Sequence, residues 1–414
     1  MGDSPMAVLM ADSWGPPTAS PIYEEPALEN VESLEGYAPG GYYPMNIDDR
    51  LRKNLDTYTI IHKLGFGRSS TVWLARRDSE SIGQVPVSFV ALKILRADLS
   101  TPNTYPELEI LGRLQQQGRE THRGLVHIQD YFTVSSANGH HCCFVLPFLG
   151  PSLYNKRVLA AMSCETRESV CEQLAHAVKY IHTFGVCHAD LSPLNVRFRI
   201  PDVEHFNETR ICAKLTPIQS CAIRRIDGQP LSKNSPRCVV KTAEFQNIHS
   251  NYFEEVTIIS FGRAFSPPVA LRIPPLSEKR HLAARVPIFL AHERELPFLI
   301  HVGFEHLVWE LTTYFGPIPD HWAGKYQWDK YKIVTRLGTT CDSDLDHWFD
   351  RAQPTESLES HLVKAEMAPE LATLLYKMFV WEPEMRLTAD TVYRELLQQR
   401  LNVESNWLAV GSVG

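Results

Sequence analysis

No run of uncharged residues in this 414-residue chain is long enough to cross a bilayer, so no membrane-spanning segment is expected. Surplus positive charge is missing too. The 41 basic and 48 acidic residues give a net charge of -7, whereas a chain that coats nucleic acid needs the opposite balance. The nine cysteines are odd in number and irregularly spaced, which argues against a disulfide framework and for reduced thiols. No basic-then-apolar opening marks a secretory signal, and no internal repeat is visible. These absences lead us to expect a protein of the cytoplasm, the nucleus or both, without direct nucleic-acid or membrane contact; a monomer is also expected. A mildly acidic surface can still steer a basic protein toward it.

What is present is ordinary globular composition, 44% hydrophobic and 21% charged, with length enough for two lobes. Residues 1–35 are rich in Pro, Ser and Glu and read as a disordered leader. Strands are expected over Tyr58–Leu64, Ser70–Ala75 and Val87–Leu95, then near Leu125–Thr133 and Cys142–Phe148, with one helix around Glu107–Leu114. Beyond Ser152 the apolar spacing becomes helical, at Ser163–Thr183, Gly303–Thr313 and Pro369–Val380. A polar stretch at about 200–250 reads as an inserted loop. The expectation is therefore an α+β, two-lobed fold. Residues 36–150 form a β-rich lobe and hinge, 151–400 a mainly helical lobe carrying the insert, and 401–414 a tail.

His140-His141-Cys142-Cys143 invites a metal-site reading. Neighbouring side chains on a strand point to opposite faces, however, so four in a row cannot converge on one ion.

Three motifs carry chemistry. Gly65-Phe66-Gly67-Arg68-Ser69-Ser70 lies between two expected strands, where glycines let backbone amides approach phosphates. Val90-Ala91-Leu92-Lys93 follows, a lysine on an apolar strand after a glycine hairpin, suited to holding ATP phosphates. Glu107, or its rival Glu109, is placed to orient Lys93 by an ion pair. His188-Ala189-Asp190-Leu191-Ser192-Pro193-Leu194-Asn195 has the spacing of a kinase catalytic loop. Asp190 would accept the substrate hydroxyl proton and Asn195 would bind a metal. The order and spacing of the three together are far more specific than any one of them.

The chain also resembles the SR-protein kinases and their fungal relatives. The resemblance is carried by Gly40-Gly41-Tyr42-Tyr43-Pro44, Lys63 to Gly67 and Ser70 to Ala75. It continues in Phe144 to Gly150, similar to the family's hinge, and in Arg225 to Leu231, Phe315 to Trp322 and Trp381 to Thr388. It spans roughly residues 35–400 and is poor between about 263 and 305. It implies transfer of phosphate from ATP, with Mg²⁺, to serines of a protein substrate, Arg/Ser-rich in that family. The nucleotide would touch Leu64, Gly65, Phe66, Gly67, Arg68, Ser69, Ser70, Val72, Ala91, Lys93, Leu146 and Phe148.

Several positions depart from the family pattern. Ser260 stands where an Asp would hold Mg²⁺, and a neutral hydroxyl is a weak ligand for a hard cation. Glu254 and Glu255 are the nearest carboxylates along the chain. Ser192 replaces a lysine that would neutralise the γ-phosphate, and Ala189 replaces an arginine the SR-protein kinases also lack. Arg197 sits where an apolar side chain would lie under adenine; it could stack on the base or close the site. No Ala-Pro-Glu is visible near Arg285-Val286-Pro287-Ile288 to pair with Arg386, and Ile300 lies where the family has an Asp-x-Trp. A working kinase and a catalytically silent scaffold that keeps the fold are both open on these residues.

Overall fold

The computed structural model describes residues 21–80, 87–100, 105–117, 122–246, 253–266, 360, 363, 371–378 and 387–398. The expected helix at 303–313, the segments around Arg285 and Phe315–Trp322, and Arg386 lie outside these residues. The chain divides into two compact units, one of Met1–Val158 with Leu194–Phe265, the other of Leu159–Pro193 with Ser266–Gly414.

The first unit is built on an antiparallel sheet. Its strands are β1 (Arg50–Lys53), β2 (Asp56–Gly67), β3 (Ser70–Ser79), β4 (Val87–Leu95), β5 (Asp130–Ser136) and β6 (Gly139–Pro147), in the order β1-β2-β3-β4-β6-β5. The sheet curls enough for its two edges to meet. Lys53 of β1 pairs with Asp130 of β5 and donates to the Tyr131 carbonyl at 2.9 Å. Between β4 and β5 lies α1 (Pro106–Gln117). Proline opens it with φ already set for a helix, and Glu107 and Glu109 favour its positive end.

Alternation along β4 assigns the two faces of the sheet. Val90, Leu92 and Ile94 join Trp73, Cys143, Val145 and Met45 in one core, while Leu95 packs with Cys142 and Phe144 in another, against Tyr105 and Leu108 at the start of α1. A side chain such as Trp73, fully enclosed, contributes roughly 1.5–3 kcal/mol by burial.

Two expectations are corrected here. Residues 21–35 are packed rather than trailing: Tyr23 and Leu34 are buried with Tyr37, Tyr42, Ile223 and Val239 in one apolar cluster. The insert, expected as a loop of the helical lobe, folds onto the sheet of the first unit instead. After β7 (Val196–Phe198) it forms a short helix α2 (Glu208–Cys212) and a ribbon of β8 (Ser220–Ala222) with β9 (Cys238–Val240). Val240 enters the sheet's core, the Ala243 amide donates to the Lys63 carbonyl at 2.8 Å, and Asn138 donates to the Asn234 carbonyl at 2.7 Å. Polar composition misled because isolated apolar residues, each bonded to a distant partner, carry the packing.

Gly40 and Gly41 make a turn no other residue fits. Gly40 has φ +84°, and a Cβ on Gly41 would collide with the Gly36 carbonyl, which accepts the Tyr42 amide at 2.9 Å. The turn delivers Tyr42 to the back of the glycine hairpin.

The last strand of the first unit, β10 (Val256–Ile258), pairs antiparallel with β7. In the second unit, α3 (Cys164–Thr183) is capped by Ser163, whose hydroxyl accepts the Thr166 amide at 3.2 Å. It buries Val170, Leu174, Ala177 and Ile181 at the expected helical spacing, leaves the expected Val178 half-buried, and adds Cys171. Lys179 of α3 pairs with Asp390 at 2.6 Å, and helix α4 (Leu371–Met378) buries Leu374 and Leu375.

Candidate active site

Lys93 lies on the α1 face of β4, and its ammonium meets the Glu107 carboxylate at 2.5 Å. Both side chains are largely enclosed, at 12% and 7% exposure. Glu109, the rival partner, is exposed. Strand register gathers the neighbours: Val72 opposes Lys93, and Leu146 opposes Ala91, so these four share one face. Above them β2 and β3 end in the glycine hairpin. A Cβ added at Gly65 or Gly67 would meet nothing within 4 Å. Neither glycine is demanded by packing, which leaves close approach of a ligand to the backbone as the reason for them.

Phe66 and Phe148 differ from the other expected contacts. Phe66 opposes Thr71, on the face of Trp73 and away from Lys93. Phe148 is buried with its ring stacked on Phe245 of the insert, 6.0 Å between centroids. Leu64 is half-buried, and Arg68 and Ser69 are exposed at the tip, next to the buried Ser70.

The β7–β10 ribbon brings Asn195 and Ser260 together. Val196 pairs with Ile258, and just beyond, the Ile259 amide donates to the Asn195 carbonyl at 2.8 Å. Ser260 has φ +70° and leads into a turn, Phe261–Arg263, that packs on α1. Phe261 is fully buried, and a Cβ on Gly262 would lie 3.5 Å from the Glu107 carboxylate. The turn after Ser260 therefore rests on the Lys93–Glu107 pair.

This donor set fits Mg²⁺ poorly. Asn195 and Ser260 both offer neutral oxygens, whereas the ion favours carboxylates. Glu255 is engaged elsewhere, bonded to Arg123 at 3.0 Å and lying 3.8 Å from Arg199, at the far end of β10 from Ser260. Among the described residues no three His, Cys, Asp or Glu side chains are grouped to hold a metal, the His140–Cys143 run included.

Arg197, on β7 opposite Thr257, reaches the Gly150 carbonyl at 3.4 Å. Burial pushes its guanidinium down to about 10. Asp190 and Ser192 belong to the second unit. There the buried His188 accepts the Asp190 amide at 3.2 Å, and Ala189 between them takes φ +63°, a conformation costing roughly 1–2 kcal/mol for a residue with a Cβ.

Residues 58–206 match the protein kinase domain family. That stretch carries most of β2, then β3 to β7, Lys93, Glu107, Asp190 and Asn195. Among curated proteins, the chain is 31% identical over 201 residues to SRSF protein kinase 3 of Sus scrofa, covering 45% of this chain and 33% of that protein. It is 32% identical over 188 residues to the serine/threonine-protein kinase SKY1 of Saccharomyces cerevisiae, covering 42% and 24%. With protein kinase dsk1 of Schizosaccharomyces pombe the figures are 30% over 251 residues, 58% and 40%.

This part of the chain matches a protein kinase domain and is similar to the SR-protein kinases.

The fold is accordingly the α+β protein kinase fold, and protein kinase domains in general use ATP with Mg²⁺. The chain spans 40% or less of the length of these relatives.

Sequence reasoning missed a group behind the kinase domain's glycine hairpin. Lys63 and Glu32 are fully buried and paired, and the second Glu32 oxygen accepts the Tyr37 hydroxyl. The only signal was a lysine inside an apolar strand; nothing near residue 32 announced its partner.

Proposed function

We propose that the chain is a protein serine/threonine kinase of the SR-protein kinase type, moving the ATP γ-phosphate to protein serine hydroxyls with atypical metal dependence. The observation that carries this reading is the Lys93–Glu107 pair under an open glycine hairpin, a preorganised cation where phosphates would lie. In the transfer, the serine oxygen bonds to the γ-phosphorus as the bond to the bridging oxygen breaks, and Asp190 takes the hydroxyl proton. Lys93 holds phosphate oxygens and Glu107 fixes its position. Because Asn195 and Ser260 fit Mg²⁺ poorly, no step is assigned to the ion. The names of the relatives, SRSF protein kinase among them, support an Arg/Ser-rich protein as substrate.

A second reading is a silent scaffold. Arg197 favours it: bonded to the Gly150 carbonyl, it spans from β7 to the segment resembling the hinge, where adenine would enter.

The deciding experiment is transfer of labelled phosphate from ATP to an Arg/Ser-rich protein, in Mg²⁺ and in Mn²⁺, beside Asp190→Asn. Incorporation lost in the variant supports the kinase; none in either metal moves the chain to the scaffold reading.

A further inference from the structure

The face of the sheet opposite Lys93 holds an arrangement the transfer reaction does not use. The buried ammonium of Lys63, on β2, pairs with Glu32 of the N-terminal segment, 31 residues away. The same ammonium lies 5.1 Å from the ring centroid of Phe66, the middle residue of the Gly65–Gly67 turn, and 5.6 Å from that of Trp73. Beside it the Tyr42 hydroxyl donates to the Gly67 carbonyl at 2.9 Å. Tyr42 is itself packed edge-on against Tyr37, with the Arg96 guanidinium 5.4 Å from its ring. The Arg96 amide donates to the Ser69 carbonyl at 2.9 Å. Phe66 and Gly67 are thus tied from behind, and Ser69 is held from the side by the continuing β3–β4 ladder.

A buried ion pair is a poor route to net stability, since an apolar pair of similar volume serves as well or better. What it supplies is one geometry. A carboxylate receiving both an ammonium and a phenol hydroxyl, in a site closed to water, has few alternatives. A glycine hairpin is otherwise costly to order when a ligand arrives, and ordering it beforehand lowers that cost.

We propose that Glu32 and Lys63 are positioning residues: the N-terminal segment braces the glycine hairpin from behind, so that its backbone is set for phosphate before nucleotide binds. The role toward nucleotide rests on the kinase reading; the brace itself rests on the contacts above.

Amide hydrogen exchange on the full chain without nucleotide, followed by titration with a fluorescent ATP analogue, tests it. In Glu32→Gln, exchange over residues 64–71 should rise about tenfold while β4 and β6 keep their protection, and analogue affinity should fall about tenfold. The exposed Glu29→Gln should change neither, and Glu32→Asp should recover part of both. In the double variant Glu32→Gln with Lys63→Met, global stability should return toward that of the native chain while hairpin exchange stays fast. Unchanged hairpin exchange in Glu32→Gln, or a rise shared by the whole sheet, overturns the brace, as does a double variant with native hairpin protection. If Glu32→Gln does not fold, Tyr42→Phe decides, with about threefold faster exchange at residues 66–70 expected and unchanged protection overturning the proposal. Should the native chain bind no analogue, the kinase reading fails, and the exchange comparison still decides the brace.

Discussion

The ammonium of Lys93 meets the carboxylate of Glu107 at 2.5 Å, joining β4 to α1 in the interior of the first unit. Glu107→Gln would leave a largely enclosed cation without its counter-charge. A loss of about 3 kcal/mol in unfolding free energy is expected, at the low end for a broken buried pair. Affinity for an ATP analogue should drop about tenfold or more, because the lysine is no longer aimed. Glu109→Gln, on the exposed side of the same helix turn, should be silent in both denaturant melts and titrations.

Acid should weaken the first unit through its buried histidines. His62 accepts the Lys63 amide on one ring nitrogen, at 2.8 Å, and donates to the Thr216 carbonyl from the other, at 3.0 Å. That is a neutral ring with both nitrogens used, and protonation would break the first bond. Burial holds His62 and His141 below the ordinary 6.5. Their folded pKa values are depressed, so the unfolded chain binds more protons below that pH. The stability they contribute is complete above about 6.5 and is lost as pH falls through the folded values. Denaturant unfolding at pH 7.5, 6.5 and 5.5 should show a decline of up to ~1.4 kcal/mol per histidine per pH unit below 6.5. A His62→Gln, His141→Gln variant should reduce it, leaving the share of His127, which burial and then the neighbouring Arg199 also hold down.

The insert should behave as part of the β-rich unit. Phe245 is buried with its ring 22° from parallel to that of Phe148. Phe245→Ala is expected to cost about 3 kcal/mol and to speed exchange at Phe148 and the end of β6 as well as within the insert. If the insert were a tethered loop, the loss would be within about 0.5 kcal/mol.

How far the sequence reached depended on whether the deciding contact was local. β4 was legible over Val87–Leu95 because it is apolar on both faces, and α3 because its apolar period is written within one stretch. The Lys93–Glu107 pair was legible as one of two alternatives, since spacing from a glycine hairpin constrains it. The packing of Tyr23 and Leu34 was not, because their partners Ile223 and Val239 lie some two hundred residues away in a segment of loop-like composition. The same holds for Glu32, whose partner sits in a different strand. The reach of Glu255, one of the two carboxylates nearest Ser260 along the chain, was not legible either; β10 places it beside Arg123 and Arg199.

Ser260 carries the central claim, a kinase nucleotide site whose metal position is weakened. Its φ of +70° suits an Asp, which tolerates that region better than most residues, so Ser260→Asp should fold. Calorimetric titration of ATP into the native chain and Ser260→Asp, each with Mg²⁺ and with a chelator, measures the claim directly. The native chain should bind ATP with affinities within about threefold in the two conditions, and Ser260→Asp should gain about tenfold in Mg²⁺ alone. Native binding that requires Mg²⁺ and equals that of Ser260→Asp would contradict the account, as would no binding by either protein.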